Sequence, residues 1–235
     1  MSATRSVIII TYGRTGSTLL VGLLNTARGA LIRGENGNFF FRLFKAYQTL
    51  LKTRRRGGNQ PNHPFFGARE ADTDGFLDLC RQSVNTVLAP KGSLTRAAPT
   101  TIGFKEIRYL DMPQKVLDNY LDFLTEIFPD PLFVFLTRDI EQVMSSGFYA
   151  KRENKEALSR NLQRCHRKFA KLAEARPNTF QIDYKDLADG ARLRALFDAA
   201  GLAYDEKRIR KTLQVDHSPQ TPDHLKKKNR GGDEG

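Results

Sequence analysis

Val7 to Thr11 is an uninterrupted run of β-branched residues ended by a Tyr-Gly turn, and beyond it Leu19, Leu20, Leu23 and Leu24 recur at helical spacing. The switch of period predicts a buried strand, a tight loop, and a helix over Thr18 to Ala27. Phe40, Phe41, Phe44, Tyr47 and Leu51 mark an amphipathic helix, followed by a segment rich in Arg, Gly, Asn and Pro, Arg54 to Phe65, that reads as an exposed loop. Phe76 to Leu88 is helical again, Thr101 to Phe104 a short strand, and Val116 to Phe128 a strongly periodic helix. Leu132 to Thr137 is nearly continuous in apolar residues, as expected of a strand covered on both faces. A helix from about Ile140, another over Lys155 to Ala173, a strand over Thr179 to Ile182 and a helix near Arg192 to Ala200 complete the pattern.

Strands alternating with helices imply a three-layer α/β/α domain on a mostly parallel sheet, with ligands at the carboxyl ends of the strands. The expected division is one domain over residues 1–213 and a basic, partly flexible tail over 214–235, where periodicity is lost. No internal repeat is visible.

Charge adds a class of partner. The 235 residues carry 38 Lys and Arg against 26 Asp and Glu, a formal net charge of +12. That field attracts phosphorylated or sulfated molecules. Some of the excess lies in Lys52 to Arg56 and Lys226 to Arg230 and reads as solvated surface or tail. Nucleic acid is disfavoured, since no groove-entering motif accompanies the charge. Cys80 and Cys165 stand far apart in helix-like stretches and read as structural thiols, not as a disulfide or metal set. No apolar run is long enough to span a bilayer or to form a signal-peptide core, so a cytoplasmic protein is expected.

The loop Thr11-Tyr12-Gly13-Arg14-Thr15-Gly16-Ser17-Thr18 joins the first strand to a helix amino terminus. Backbone N–H groups can converge there on an anion, Gly13 and Gly16 permit close approach, and Arg14 can meet two phosphate oxygens. A Walker A loop would place a lysine after the last glycine, but Gly16 is followed by Ser17. Farther on, Arg138 ends the apolar strand and Ser146 follows eight residues later. Taken alone, Arg138 and Asp139 also fit a surface ion pair or a helix cap.

In these two segments together the chain resembles the sulfotransferases that use 3′-phosphoadenosine 5′-phosphosulfate (PAPS), in particular the bacterial and carbohydrate branch. The Arg14-Thr15-Gly16-Ser17 core matches the family's 5′-phosphosulfate loop, while Arg138 and Ser146 match its 3′-phosphate motif. Ile140 stands where many relatives have Pro. The resemblance spans about 140 residues. It implies a P-loop NTPase-like sulfotransferase fold, PAPS as donor, 3′-phosphoadenosine 5′-phosphate (PAP) as product, and no required metal. It also implies donor contacts from Arg14, Thr15, Gly16, Ser17, Thr18, Arg138 and Ser146. Phe180 to Leu187 resembles the family's Tyr-Glu-Asp-Leu segment and makes Tyr184 an adenine contact, though half-buried packing is the commoner role for a strand-end tyrosine.

Sulfuryl transfer needs an acceptor base and positive charge near the leaving phosphate. Arg14 fits the second role. Lys105, in a Gly-Phe-Lys-Glu stretch like that of relatives, either supplies a further cation or pairs with Glu106 at the surface. Glu35 matches the family's acidic base, with capping of the next helix as its other reading. His63, in a polar loop, is the alternative base. The acceptor is expected to be a small molecule or glycan, anionic in view of the charge, walled by the Phe40 to Leu51 and Phe76 to Leu88 helices. A P-loop kinase or hydrolase and a non-catalytic polyanion-binding module are the rival classes.

Overall fold

The computed structural model describes residues 4–89 and 99–214. Along the chain run β1 (Arg5–Ile10), α1 (Ser17–Leu24), β2 (Ala30–Arg33), α2 (Phe39–Arg56), α3 (Thr73–Leu88), β3 (Thr101–Glu106) and α4 (Gln114–Ile127). There follow β4 (Pro131–Thr137), α5 (Ile140–Met144), α6 (Gly147–Ala150), α7 (Lys155–Ala175), β5 (Thr179–Asp183), α8 (Gly190–Ala199) and α9 (Glu206–Leu213). The described strands form one sheet in the order β2-β3-β1-β4-β5, and every pairing is parallel.

The twofold alternation of strand side chains divides the interior. Ile8 and Ile10 of β1, Ile102 and Phe104 of β3, and Phe133 and Phe135 of β4 face α2, α3, α4 and α7. Val7 and Ile9, with Leu132, Val134 and Leu136, face the opposite layer of α1, α8 and α9. The sheet is therefore covered on both faces, which is why its central strands show no polar alternation.

Aromatic stacking fills the first layer. Phe40 lies 5.0 Å from both Phe104 and Phe128, and Phe44 packs on Tyr120 and Phe123. Cys80 and Cys165 are buried and unpaired, and burial pushes the Cys165 thiol up to about 12.

Several boundaries move. Helix α2 runs on to Arg56, so the segment expected to be a loop from Arg54 begins with a helical turn. Its three terminal arginines complement the negative end of the helix dipole. Strand β3 extends to Glu106 because its parallel register with β1 continues to Ile10, placing Lys105 inside the strand and not after it. The helix expected from Ile140 is broken at Ser145 and Ser146 before α6. Helix α9 has no counterpart in the sequence reading, since Ile209 is its one buried residue. The expected tail lies outside the described residues apart from Gln214. Among those residues no helix is long and apolar enough to cross a membrane.

Candidate active site

Because the five described strands run the same way, their carboxyl ends share one edge, and the predicted site residues other than His63 follow those strand ends. The loop after β1 is built from the inside. Thr11 Oγ1 donates to the Leu136 carbonyl at 2.7 Å and sits 2.8 Å from Thr15 Oγ1, while Thr15 donates to the Tyr12 carbonyl at 3.1 Å. Thr15 is fully buried, so its hydroxyl holds the loop and only its backbone N–H is left to face a ligand.

Arg14 and Gly16 both take the left-handed conformation, at φ 67° and 79°. That conformation is costly for arginine and ordinary for glycine. A side chain at Gly16 would collide with the Tyr184 ring. Helix α1 then starts without a side-chain cap and without an acidic residue in its first turn. Its leading N–H groups and the positive end of its dipole are therefore presented to an anion. Ser17 is nearly buried and Thr18 is exposed.

The second motif meets the first directly. Arg14 Nε donates to Ser146 Oγ at 3.0 Å, across 132 positions of sequence. Arg138 donates to the Arg14 carbonyl at 3.2 Å and to Gln142 Oε1 at 3.2 Å, and its guanidinium lies 4.2 Å from the centre of the Tyr184 ring. Arg138 thus forms no surface pair with Asp139. Asp139 caps α5 instead, accepting from Gln142 N. Gly147, at φ 56°, lets the chain pass against the Arg14 side chain. Loop, strand-end arginine, serine and aromatic ring form one contiguous cationic cluster.

At the other side of β1, Lys105 donates to Glu35 Oε1 at 2.6 Å. The Lys105 side chain is 10% exposed and that of Glu35 37%, so the ammonium is buried and its carboxylate partner faces solvent. The alternative pairing of Lys105 with Glu106 is wrong, because successive strand residues point to opposite faces. Glu106 is buried on the α2 side, where its oxygens accept from Asn38 N at 2.9 Å and Ile107 N at 3.0 Å. The capping role considered for Glu35 likewise belongs elsewhere, to Asn36, which accepts from Phe39 N. His63 is held in its own turn, accepting from Phe65 N and packing against Gly58; it is not brought to the Lys105–Glu35 pair.

Three contributors escaped sequence reasoning. The Tyr12 hydroxyl lies 2.5 Å from His166 Nε2 and 3.3 Å from both the N–H and the carbonyl of Arg138. It ties the β1 loop to the end of β4 and to α7. Burial lowers the pKa of His166, with Asp183 and Asp139 opposing the shift, and burial also raises that of Tyr12. Phe148, exposed, covers Gly13. A tyrosine directly after a strand was the one available signal, since His166 is 154 positions away. Among the described residues, no cluster of three or more His, Cys, Asp or Glu is arranged to hold a metal ion.

A family model described as the sulfotransferase family matches residues 6–206. No curated protein matches the chain. Among solved structures, the sulfotransferase domain of an olefin synthase from Synechococcus PCC 7002 superposes with a TM-score of 0.54 at 18% identity, over 96% of this chain and 83% of that one. A sulfotransferase from Mycobacterium tuberculosis H37Rv gives 0.45 at 16% identity, over 92% and 72% of the two chains. Thymidylate kinase from Candida albicans gives 0.41 at 14%, over 87% and 97%.

Proposed function

This chain belongs to the sulfotransferase family, and on that premise we propose that it transfers a sulfuryl group from PAPS to a hydroxyl or amine acceptor. The observation that carries the reading is the meeting of the two anion motifs through Arg14, Ser146 and Arg138. A donor bearing phosphates at the 3′ and 5′ positions of its ribose needs two such anchors side by side.

Arg14, Gly16 and the α1 terminus hold the 5′-phosphate. Arg14 Nε is already fixed by Ser146, which leaves its terminal amines to meet phosphate oxygens without further ordering. Thr15 and Ser17 contribute backbone N–H groups, and Thr18 its exposed hydroxyl. Arg138 and Ser146 take the 3′-phosphate, and Tyr184 flanks the adenine. Because these cations and N–H groups neutralise both phosphates, donor binding needs no magnesium.

In the transfer, the acceptor oxygen or nitrogen bonds to sulfur as the bond from sulfur to the 5′-phosphate oxygen breaks, with its electrons staying on the phosphate. Arg14 and the α1 dipole stabilise that developing charge. Glu35 receives the acceptor proton. Lys105 fixes the Glu35 carboxylate and adds positive charge beside the transferred group.

The test is transfer of label from [35S]PAPS to a panel of glycans and simple alcohols. Wild type is expected to label a member of the panel, while Glu35→Gln binds PAP normally and labels none. Labelling by Glu35→Gln at the wild-type rate would remove Glu35 from the chemistry.

A further inference from the structure

Between the turn after β3 and helix α7 lies a groove of about 490 Å³, lined among others by Asp111, Gln114, Asn161, Arg164, Arg167 and Lys171. Its floor is fixed by Lys168, only 7% exposed, whose ammonium donates to the carbonyls of Tyr109 at 2.6 Å, Leu110 at 3.3 Å and Met112 at 2.7 Å. Those three bonds saturate the lysine and pin the turn to α7, so the groove is a built feature and not a gap between mobile parts.

The remaining cations are unspent. Arg164 donates only to Asn161, and neither Arg167 nor Lys171 has a hydrogen bond or ion pair with another described residue. The one carboxylate in the lining, Asp111, accepts from Asn161. Arg160, Arg164, Arg167 and Lys171 recur at intervals of four, three and four residues, which places them along one face of α7. Arg160 is ion-paired with Glu156 at 3.6 Å, which leaves Arg164, Arg167 and Lys171 as exposed cations without a carboxylate partner among the described residues, above the buried Lys168. Three such cations in a row are complementary to a chain carrying repeated negative charges.

The turn that lines the groove follows the carboxyl end of β3, on the sheet edge that carries the loop after β1. Leu110 is four residues beyond Glu106, the last residue of β3, so it lies within about 14 Å of that strand end even if the connection were fully extended. An oligomeric acceptor can reach from the groove to the Lys105–Glu35 pair. The lining has the amides of Asn161 and Gln114 beside the guanidinium groups and no aromatic ring. That combination suits hydroxyls interspersed with sulfate or carboxylate, and it lacks the stacking platform that single-stranded nucleic acid requires.

We propose that this groove docks the acceptor as an acidic carbohydrate chain, with Arg164, Arg167 and Lys171 meeting its anionic groups while a hydroxyl farther along enters the transfer centre. The identification of the occupant as acceptor rests on the sulfotransfer reading. The groove as an acidic-glycan site does not.

The experiment uses the full chain and a short sulfated dextran oligosaccharide, with uncharged dextran, polyglutamate and oligothymidylate as comparison ligands. The triple variant R164A/R167A/K171A is set beside K45A/K52A/R55A, which removes equal charge from the groove between α2 and α4. Wild type should prefer sulfated dextran over all three comparison ligands. The α7 triple should lose about tenfold or more in affinity, as expected for three exposed ion pairs, while the control stays within twofold. Both triples should bind PAP as wild type does, which verifies that they are folded.

Equal loss in the two triples would reduce the effect to net charge and overturn the groove as a site. Loss confined to the control would move docking to α2. Equal or tighter binding of polyglutamate or oligothymidylate would overturn the carbohydrate assignment. Failure of wild type to bind PAP, with glycan binding lost only in the α7 triple, would sink the donor reading and leave an acidic-glycan site.

Discussion

Arg14 and Arg138 are held by contacts that leave their charge available, Arg14 through its Nε on Ser146 and Arg138 by stacking on Tyr184. Replacing either with Ala removes charge-assisted hydrogen bonds to a phosphate, so PAP affinity should fall by about 10- to 100-fold. Titration calorimetry measures this directly, and an unchanged affinity in either variant would dissolve the assigned anchor. Gly16→Ala forces a side chain into the left-handed region and against the Tyr184 ring, at a cost of about 1–2 kcal/mol for the backbone alone. A lower melting temperature and weaker PAP binding should appear together; a melting curve superposable on wild type would show that the loop tolerates the change. Much of this was legible in the sequence. The Arg-Thr-Gly-Ser core and the eight-residue interval from Arg138 to Ser146 are local patterns, and local patterns survive in one dimension. The Lys105–Glu35 pairing was not legible, although both residues were candidates, because it depends on β2 and β3 lying side by side.

At the level of elements, the network joining the loop after β1, the end of β4 and helix α7 runs through Tyr12 and His166. Burial lowers the His166 pKa below its ordinary 6.5, so below that pH the unfolded chain takes up a proton that the fold resists. The stability due to the neutral imidazole is present above about pH 6.5 and is lost as pH falls from there through the lowered folded value. Thermal melts from pH 7.5 to 5.5 should therefore show a steeper decline for wild type than for His166→Asn, and parallel curves would contradict the buried neutral state. In the layer beneath, Phe40 is wholly buried against Phe104 and Phe128, and Phe40→Ala should cost about 3–5 kcal/mol in urea unfolding. Periodicity located the long helices because their apolar faces are wide. It missed α9, which buries a single residue, and it misplaced the end of α2, where a run of arginines looks like a loop but closes a helix.

Across the whole molecule, the parallel sheet sets everything else: the five described strands end at one edge and carry the glycine-containing loop, the acid–lysine pair, the strand-end arginine and the aromatic ring along it. The alternating pattern of strands and helices made that architecture readable, since a parallel sheet requires crossovers and crossovers require helices. The strand order was not readable, because no local signal tells β1 to lie between β3 and β4. The net charge of +12 acquires a location where Arg14 and Arg138 lie together and where Arg164, Arg167 and Lys171 lack a carboxylate partner among the described residues. The proposed activity requires that Arg14, Arg138 and the α1 terminus bind a nucleotide with phosphates on both the 3′ and 5′ positions, without a metal. Titration calorimetry with PAP in EDTA, beside ATP with magnesium, decides it: saturable binding of PAP and none of magnesium ATP is the expected result, and binding of magnesium ATP alone would overturn the assignment.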